Sequence, residues 1–157
     1  TLMVFDLYYE TLYEGREKEE VYRLYLKTMA RCVRSHGEFI DTLAHIDYIA
    51  RNATFAHPEI SYGDFADDID AVLRALIETD TVIEINTRRL STPRGIKELA
   101  PVCRRYRELG GRYVTVGSDA HVPEGVGRNY GRARELAHAF DLTVVTFRAR
   151  KMQICEG

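Results

Sequence analysis

The chain has 157 residues, 45% hydrophobic and 29% charged, which is enough for one domain with a real core. Its formal net charge of -2 gives no electrostatic reason to expect nucleic acid or an anionic membrane as partner. No apolar run reaches the roughly 18 residues of a membrane-spanning helix.

The opening TLMVFDLYYE has neither a basic leader nor a cleavage site, so no signal peptide is expected. Its first residue is Thr rather than Met, which suits a longer parent chain or a processed one. Cys32, Cys103 and Cys155 are far apart and form no CxxC pair. They are expected as reduced thiols of a cytoplasmic protein, and a thiolate metal site is not expected.

In chain order the pattern alternates helix and strand, with no internal repeat and no low-complexity tract. Tyr8 to Glu20 is ambiguous. EEVYRLYLKTMARCVRS places Val21, Leu24, Tyr25, Thr28, Met29 and Cys32 at helical spacing, with a stop at His36-Gly37. EFIDTLAHI reads as a short strand ending at His45, followed by a long loop over 47–63. DFADDIDAVLRALIETD is the cleanest helix. Ile69, Val72, Leu73, Leu76 and Ile77 make one stripe, and acids crowd the first turn where the helix dipole favours them. TVIEIN is a β-branched strand. STPRGIKELAPVCRRYRELGG opens with a Ser/Thr cap and an early Pro, and Pro101 is expected to kink or split it. The Tyr and Arg residues of CRRYREL read as an exposed helical face. RYVTVG is a strand, GRARELAHAF a helix and LTVVTF a last strand.

Such alternation predicts an α/β fold with a parallel sheet and right-handed crossovers. Function in these folds gathers at the carboxyl ends of strands. Three predicted strands end at chemically capable residues: His45, Asn86, and the pair Asp119 and His121. An isolated Asp-x-His is common, and a capping Asp with a surface His explains it as well. Two features favour a metal site. Gly117 lets the backbone turn sharply after the strand, and His45 ends a strand of the same layer. Carboxylate plus imidazole suits zinc, manganese or iron. Asp47 is a candidate partner for an imidazole N–H, or simply a turn carboxylate. Arg51, Arg88 and Arg89 follow two of these strand ends, and guanidinium forks match phosphate oxygens. His57, in the long loop, is a weaker candidate for substrate contact, while His36 and His138 read as structural. There is no Walker loop, dinucleotide fingerprint or nucleophile elbow.

At LAHIDYIAR, IEINTRRL and VGSDAHVPEGVG the sequence resembles the histidinol-phosphatase branch of the polymerase-and-histidinol-phosphatase (PHP) superfamily, from about Tyr8 onward. The resemblance implies a distorted TIM-like barrel of about seven β/α units, with two or three divalent metal ions (manganese, zinc or iron) at the strand ends. Carried over by motif, His45, Asp119 and His121 are metal ligands, Asp119 also acts on the water proton, and Arg51 contacts the substrate phosphate. Asn86 and Arg88 are carried over as substrate-binding.

The chain departs from the family pattern in two places. Where members continue the asparagine motif with small residues and a glycine, this chain has TRRLS. The His-x-His pair that opens members' first strand occurs nowhere in these residues. The chain therefore resembles the C-terminal part of such an enzyme: residues 1–157 as a single PHP-like domain of about four β/α units, part of a larger one. The expected partner is a small phosphorylated substrate, together with a missing N-terminal half or another subunit. Two other readings stay open: a non-catalytic scaffold that keeps the outline of the fold, and a PHP-type nuclease, against which the absence of a basic aromatic groove weighs.

Overall fold

A computed structural model describes residues 10–155. Residues 1–9, on which the expectation of no signal peptide rests, and with them Tyr8, where the resemblance begins, lie outside that range. The elements are α1 (Lys18–His36), β1 (Thr42–Leu43), α2 (Ala66–Glu78), β2 (Val82–Asn86), α3 (Pro93–Glu108), β3 (Tyr113–Gly117), α4 (Tyr130–Ala139), β4 (Thr143–Arg148) and β5 (Lys151–Ile154). No helix among the described residues is long and apolar enough to cross a membrane.

The sheet has five strands in the order β1-β2-β3-β4-β5. The first four run parallel, and β5 returns antiparallel to β4. The α/β class is as expected. The strand count is not, because β5 follows LTVVTF across a two-residue turn. Ala149 and Arg150 both have positive φ there, 49° and 62°, as a tight hairpin turn requires. Neither is the Gly or Asn that would have announced it.

The core lies between the helices and one face of the sheet. Ile69, Val72, Leu73 and Leu76 on α2 are at most 1% exposed, and they meet Ile83, Ile85 and Val114 from the sheet. Each such side chain stabilises by about 1.5–3 kcal/mol relative to its exposed state. On α1 the buried stripe is rotated from the expected one. Tyr22, Leu26, Ala30 and Val33 are buried with Val21 and Tyr25, while Leu24 and Cys32 face solvent. The α3 helix starts as expected, with Thr92 Oγ1 accepting from Gly95 N at 3.1 Å and Pro93 at the first position. It is not split at Pro101. The missing N–H leaves the carbonyl of Lys97 without a helical partner, and Lys97 is exposed, so water can take its place.

In CRRYREL, Arg104 is exposed as expected, but Tyr106 is buried; Cys103 beside it is buried too, which pushes its thiol up to about 12. Arg105 bridges α3 to α2. It donates to Asp70 from Nε and Nη2, the latter at 2.7 Å, and Tyr62 OH donates to the same carboxylate at 2.9 Å. The guanidinium holds the Asp70 carboxyl below its usual value. A carboxylate with a depressed folded pKa contributes stability above its unfolded pKa, about 3.9, and loses it as pH falls through the folded value. Asp70→Asn is therefore expected to lower the urea midpoint at pH 7 and to shrink the loss of stability below about pH 4. An unchanged midpoint at pH 7 would show that the bridge contributes nothing.

The sheet is rolled. Thr42 on β1 and Thr115 on β3 lie on either side of β2, about 9.5 Å apart in a flat sheet. Their hydroxyls nevertheless meet at 2.7 Å. At the far end, Arg150 in the β4–β5 turn donates to Asp41 at 3.1 Å and to the Glu38 carbonyl at 2.7 Å, just ahead of β1. The concave side of this curl carries Glu84 and Asn86, and the strand ends on that side carry the site.

Candidate active site

His45 sits two residues beyond β1 rather than at its end, because β1 is only Thr42–Leu43. Its φ of 53° is in the left-handed region, as is the 48° of Asp119. Non-glycine residues held there concentrate at functional sites. The His45 carbonyl accepts from Tyr25 OH at 3.2 Å and from Tyr48 N–H at 3.0 Å, which fixes the bend. Its Nδ1 lies 3.1 Å from Asn86 Nδ2. The Asn86 amide is oriented by Arg88 N–H, which donates to Oδ1 at 3.0 Å. The NH2 group therefore faces His45 and also Glu84, whose Oε1 is 3.3 Å away.

Glu84 went unnoticed in the sequence, although its signal was present as the single acid inside the apolar run TVIEIN. It also explains Gly117. That glycine is not among the residues with positive φ, and the sharp turn falls instead at Asp119. A Cβ on Gly117 would stand 2.1 Å from Glu84 Oε2, so the glycine makes room for the carboxylate.

Asp119 is 14% exposed, and its Oδ2 lies 3.2 Å from Arg88 Nη1 and 3.5 Å from Arg51 Nη1. With His45, Asn86 and Tyr48 these groups line a cavity of about 250 Å³. Asp47 and Arg89 line it too, paired with each other at 2.6 Å, so Asp47 serves a guanidinium rather than an imidazole. His121 does not reach this cavity. It lines an adjoining one of about 220 Å³ that shares Arg88 and Asp119 with the first. Its side chain is 72% exposed, with Nδ1 3.0 Å from the Asp119 carbonyl. His57 is exposed in its loop, His36 ends α1, and His138 lies on the exposed side of α4.

The turn that carries the arginines is tied down by residues the sequence did not single out. Thr87 N donates to Gly117 O at 2.8 Å. Asn129 donates to Thr87 O and Ser91 Oγ, and Arg132 to Leu90 O at 3.0 Å.

The donor types at the site suit a divalent metal, since a carboxylate and an imidazole open into one cavity. Their number does not suffice. Among the described residues no three His, Cys, Asp or Glu side chains converge as a metal site. Asp119 instead faces two guanidiniums.

A rolled, mostly parallel α/β sheet with histidine, carboxylate and arginines at its strand ends defines the class of this chain. Within that class it is similar to histidinol-phosphatases. It is 46% identical over 148 residues to a probable histidinol-phosphatase of Clostridium acetobutylicum, covering 94% of this chain and 58% of that protein. It is 28% identical to a histidinol-phosphatase of Lactococcus lactis over 80% of this chain and 48% of the relative. A probable histidinol-phosphatase of Thermotoga maritima is 31% identical over 71% of this chain and 46% of that protein. The solved structure of the histidinol phosphate phosphatase of Lactococcus lactis, complexed with zinc, L-histidinol and phosphate, matches with a TM-score of 0.82 at 26% identity. That match covers 90% of this chain and 54% of the solved one. The chain thus spans about half the length of the relatives it matches. No family model matches it.

Proposed function

We propose that this chain is part of a metal-dependent phosphomonoesterase of the histidinol-phosphatase type, a cytoplasmic enzyme that converts L-histidinol phosphate to L-histidinol and phosphate. The observation that carries the proposal is the meeting of His45, Asp119, Arg51 and Arg88 around one cavity at the strand ends. The similarity to histidinol-phosphatases, one of them solved with zinc, L-histidinol and phosphate, supports it.

In this reading His45, Asp119 and, after its exposed ring turns, His121 are ligands to manganese, zinc or iron. The remaining donors come from outside the described residues, from the rest of a (β/α)7 barrel or from another subunit. The bound metal would supply a water of lowered pKa and neutralise phosphate charge. The chain's own residues do the positioning. Arg51 and Arg88 bind phosphate oxygens and hold them as charge builds during displacement. Asn86 lines the substrate cavity and orients His45. Asp119 takes up the proton of the attacking water.

The test is phosphate release from L-histidinol phosphate with added manganese and an EDTA control. It needs two proteins: the 157-residue chain, and the same chain joined to the part of the Clostridium acetobutylicum relative that it does not span. Turnover by either one, abolished by EDTA, is the expected result. No turnover by either, with both shown to be folded, would favour a non-catalytic scaffold instead.

A further inference from the structure

β4 and β5 carry an apolar face that the core does not use. Cross-strand partners point to the same side of a sheet, and Val114 on β3 pairs with Val144 on β4. Both pack with the core, so their neighbours Tyr113 and Val145, and Phe147 two residues on, lie on the opposite, concave side. The hairpin register sets Met152 beside Phe147 and Ile154 beside Val145. None of these concave-side residues belongs to the core beneath the helices. Met152 is 39% exposed and Ile154 64%. A cavity of about 330 Å³ opens next to them at the amino ends of β2 and β3, lined by Met152, Tyr113, Val82, Leu76 and Tyr106. Protein interiors are close-packed, so this face is an unfinished layer. Among the described residues β5 is also the last strand of the sheet, and its outer edge has no partner strand. Such an edge is a template for another strand, and apolar side chains bared beside it mark an interaction surface.

Chain length points to the occupant. The fold matches 54% of the solved Lactococcus lactis chain, so that chain has nearly as much again to place. The concave face also runs up to the site, since Glu84 and Asn86 stand on it and His45 and Asp119 lie at the strand ends above. A layer laid on this face brings its own side chains beside a site that has too few donors among the described residues. A second copy fits less well. Two-fold pairing would set the hairpin against itself, with Arg148 and Lys151 facing their own like charges. We propose that the concave face of β4 and β5, with the open edge of β5, seats the part of the enzyme that this chain does not span, carried on the same polypeptide and presenting an apolar strand to β5. Tyr113, Phe147, Met152 and Ile154 are its anchors. The proposal rests on the reading of this chain as part of a histidinol-phosphatase-type enzyme.

The experiment compares two metal-free proteins: the 157-residue chain, and the same chain joined to the part of the Clostridium acetobutylicum relative that it does not span. Hydrogen exchange reads the backbone amides of Lys151–Ile154. They are expected to exchange about tenfold more slowly in the joined protein, as an edge does when it gains a partner strand. Met152→Asp combined with Ile154→Asp is expected to leave the urea midpoint of the 157-residue chain unchanged, because both side chains are exposed there, and to lower that of the joined protein. Equal exchange in the two proteins, or an equal midpoint shift on substitution, overturns the proposal. So does slow exchange by the 157-residue chain alone that speeds up on dilution, because a second copy would then hold the face. Neither measurement involves metal, substrate or turnover. A joined protein that protects β5 but releases no phosphate keeps the surface and loses the phosphatase reading, and one that turns over with β5 still open does the reverse.

Discussion

Arg51→Ala is expected to lower kcat for phosphomonoester hydrolysis by about 100- to 1,000-fold, the usual cost of removing one donor aimed at developing transition-state charge. The expected change in folding stability is within about 0.5 kcal/mol. The two effects separate because of how Arg51 is held. Its guanidinium is 40% exposed, reaches Asp119 only at 3.5 Å, and lies 5.8 Å from the Tyr48 ring centroid. Exposed ion pairs of that kind contribute about 0–1 kcal/mol to folding. In the proposed reaction the same group would hold the phosphate oxygens as charge develops in the transition state. Arg51→Lys should recover little of the rate, because an ammonium presents a point charge where the fork binds two oxygens. The measurement is kcat and KM for L-histidinol phosphate, with urea midpoints alongside. A loss of less than about threefold would remove Arg51 from the reaction.

Much of the frame was legible in the sequence because it follows from periodicity. The α2 helix and the β2 and β3 strands carry apolar patterns that fit no other state, and the cap before α3 is read from Thr92 and Pro93 alone. What escaped had physical reasons. The four residues of β5 are all exposed, so no burial pattern marks them as a strand. The turn before it forces Ala149 and Arg150 into the left-handed region without Gly or Asn to signal it. Pro101 leaves the α3 helix unbroken because the carbonyl it orphans belongs to the exposed Lys97, where water can take the place of the lost N–H.

At the site, motif spacing located His45, Asn86 and Asp119, and the structure places them around one cavity. The partner choices could not be read from the chain. Asp47 goes to Arg89 because that guanidinium comes from the neighbouring strand end, dozens of residues away. Glu84 is part of the site because the rolled sheet and the bare Cα of Gly117 leave space for its carboxylate. The curl itself, shown by the Thr42–Thr115 contact, depends on long-range pairing that periodicity does not report.

The arginines depend on the fold through Gly95, and that dependence yields a pair of substitutions with opposite signs. Gly95 lies in the first turn of α3, and a Cβ there would stand 1.8 Å from the Arg89 carbonyl oxygen and 2.7 Å from its carbon. These are backbone atoms of the turn that carries Arg88 and Arg89, so no side chain can rotate away. Gly→Ala inside a helix ordinarily gains about 1 kcal/mol from propensity. Forcing a methyl into packed backbone costs about 1–3 kcal/mol or more. At 1.8 Å the second effect wins, and Gly95→Ala is expected to lose about 2 kcal/mol, read as a fall in the urea midpoint at unchanged slope. Gly131 in α4 is the control. Nothing lies within 4 Å of its added Cβ, so Gly131→Ala should gain up to about 1 kcal/mol. Gly95→Ala should also raise KM for L-histidinol phosphate, because relief of the clash moves the Arg89–Ser91 turn and Arg88 with it. If Gly95→Ala stabilises the chain as Gly131→Ala does, the close approach of α3 to that turn is wrong, and with it the account of how the second guanidinium is held over the cavity.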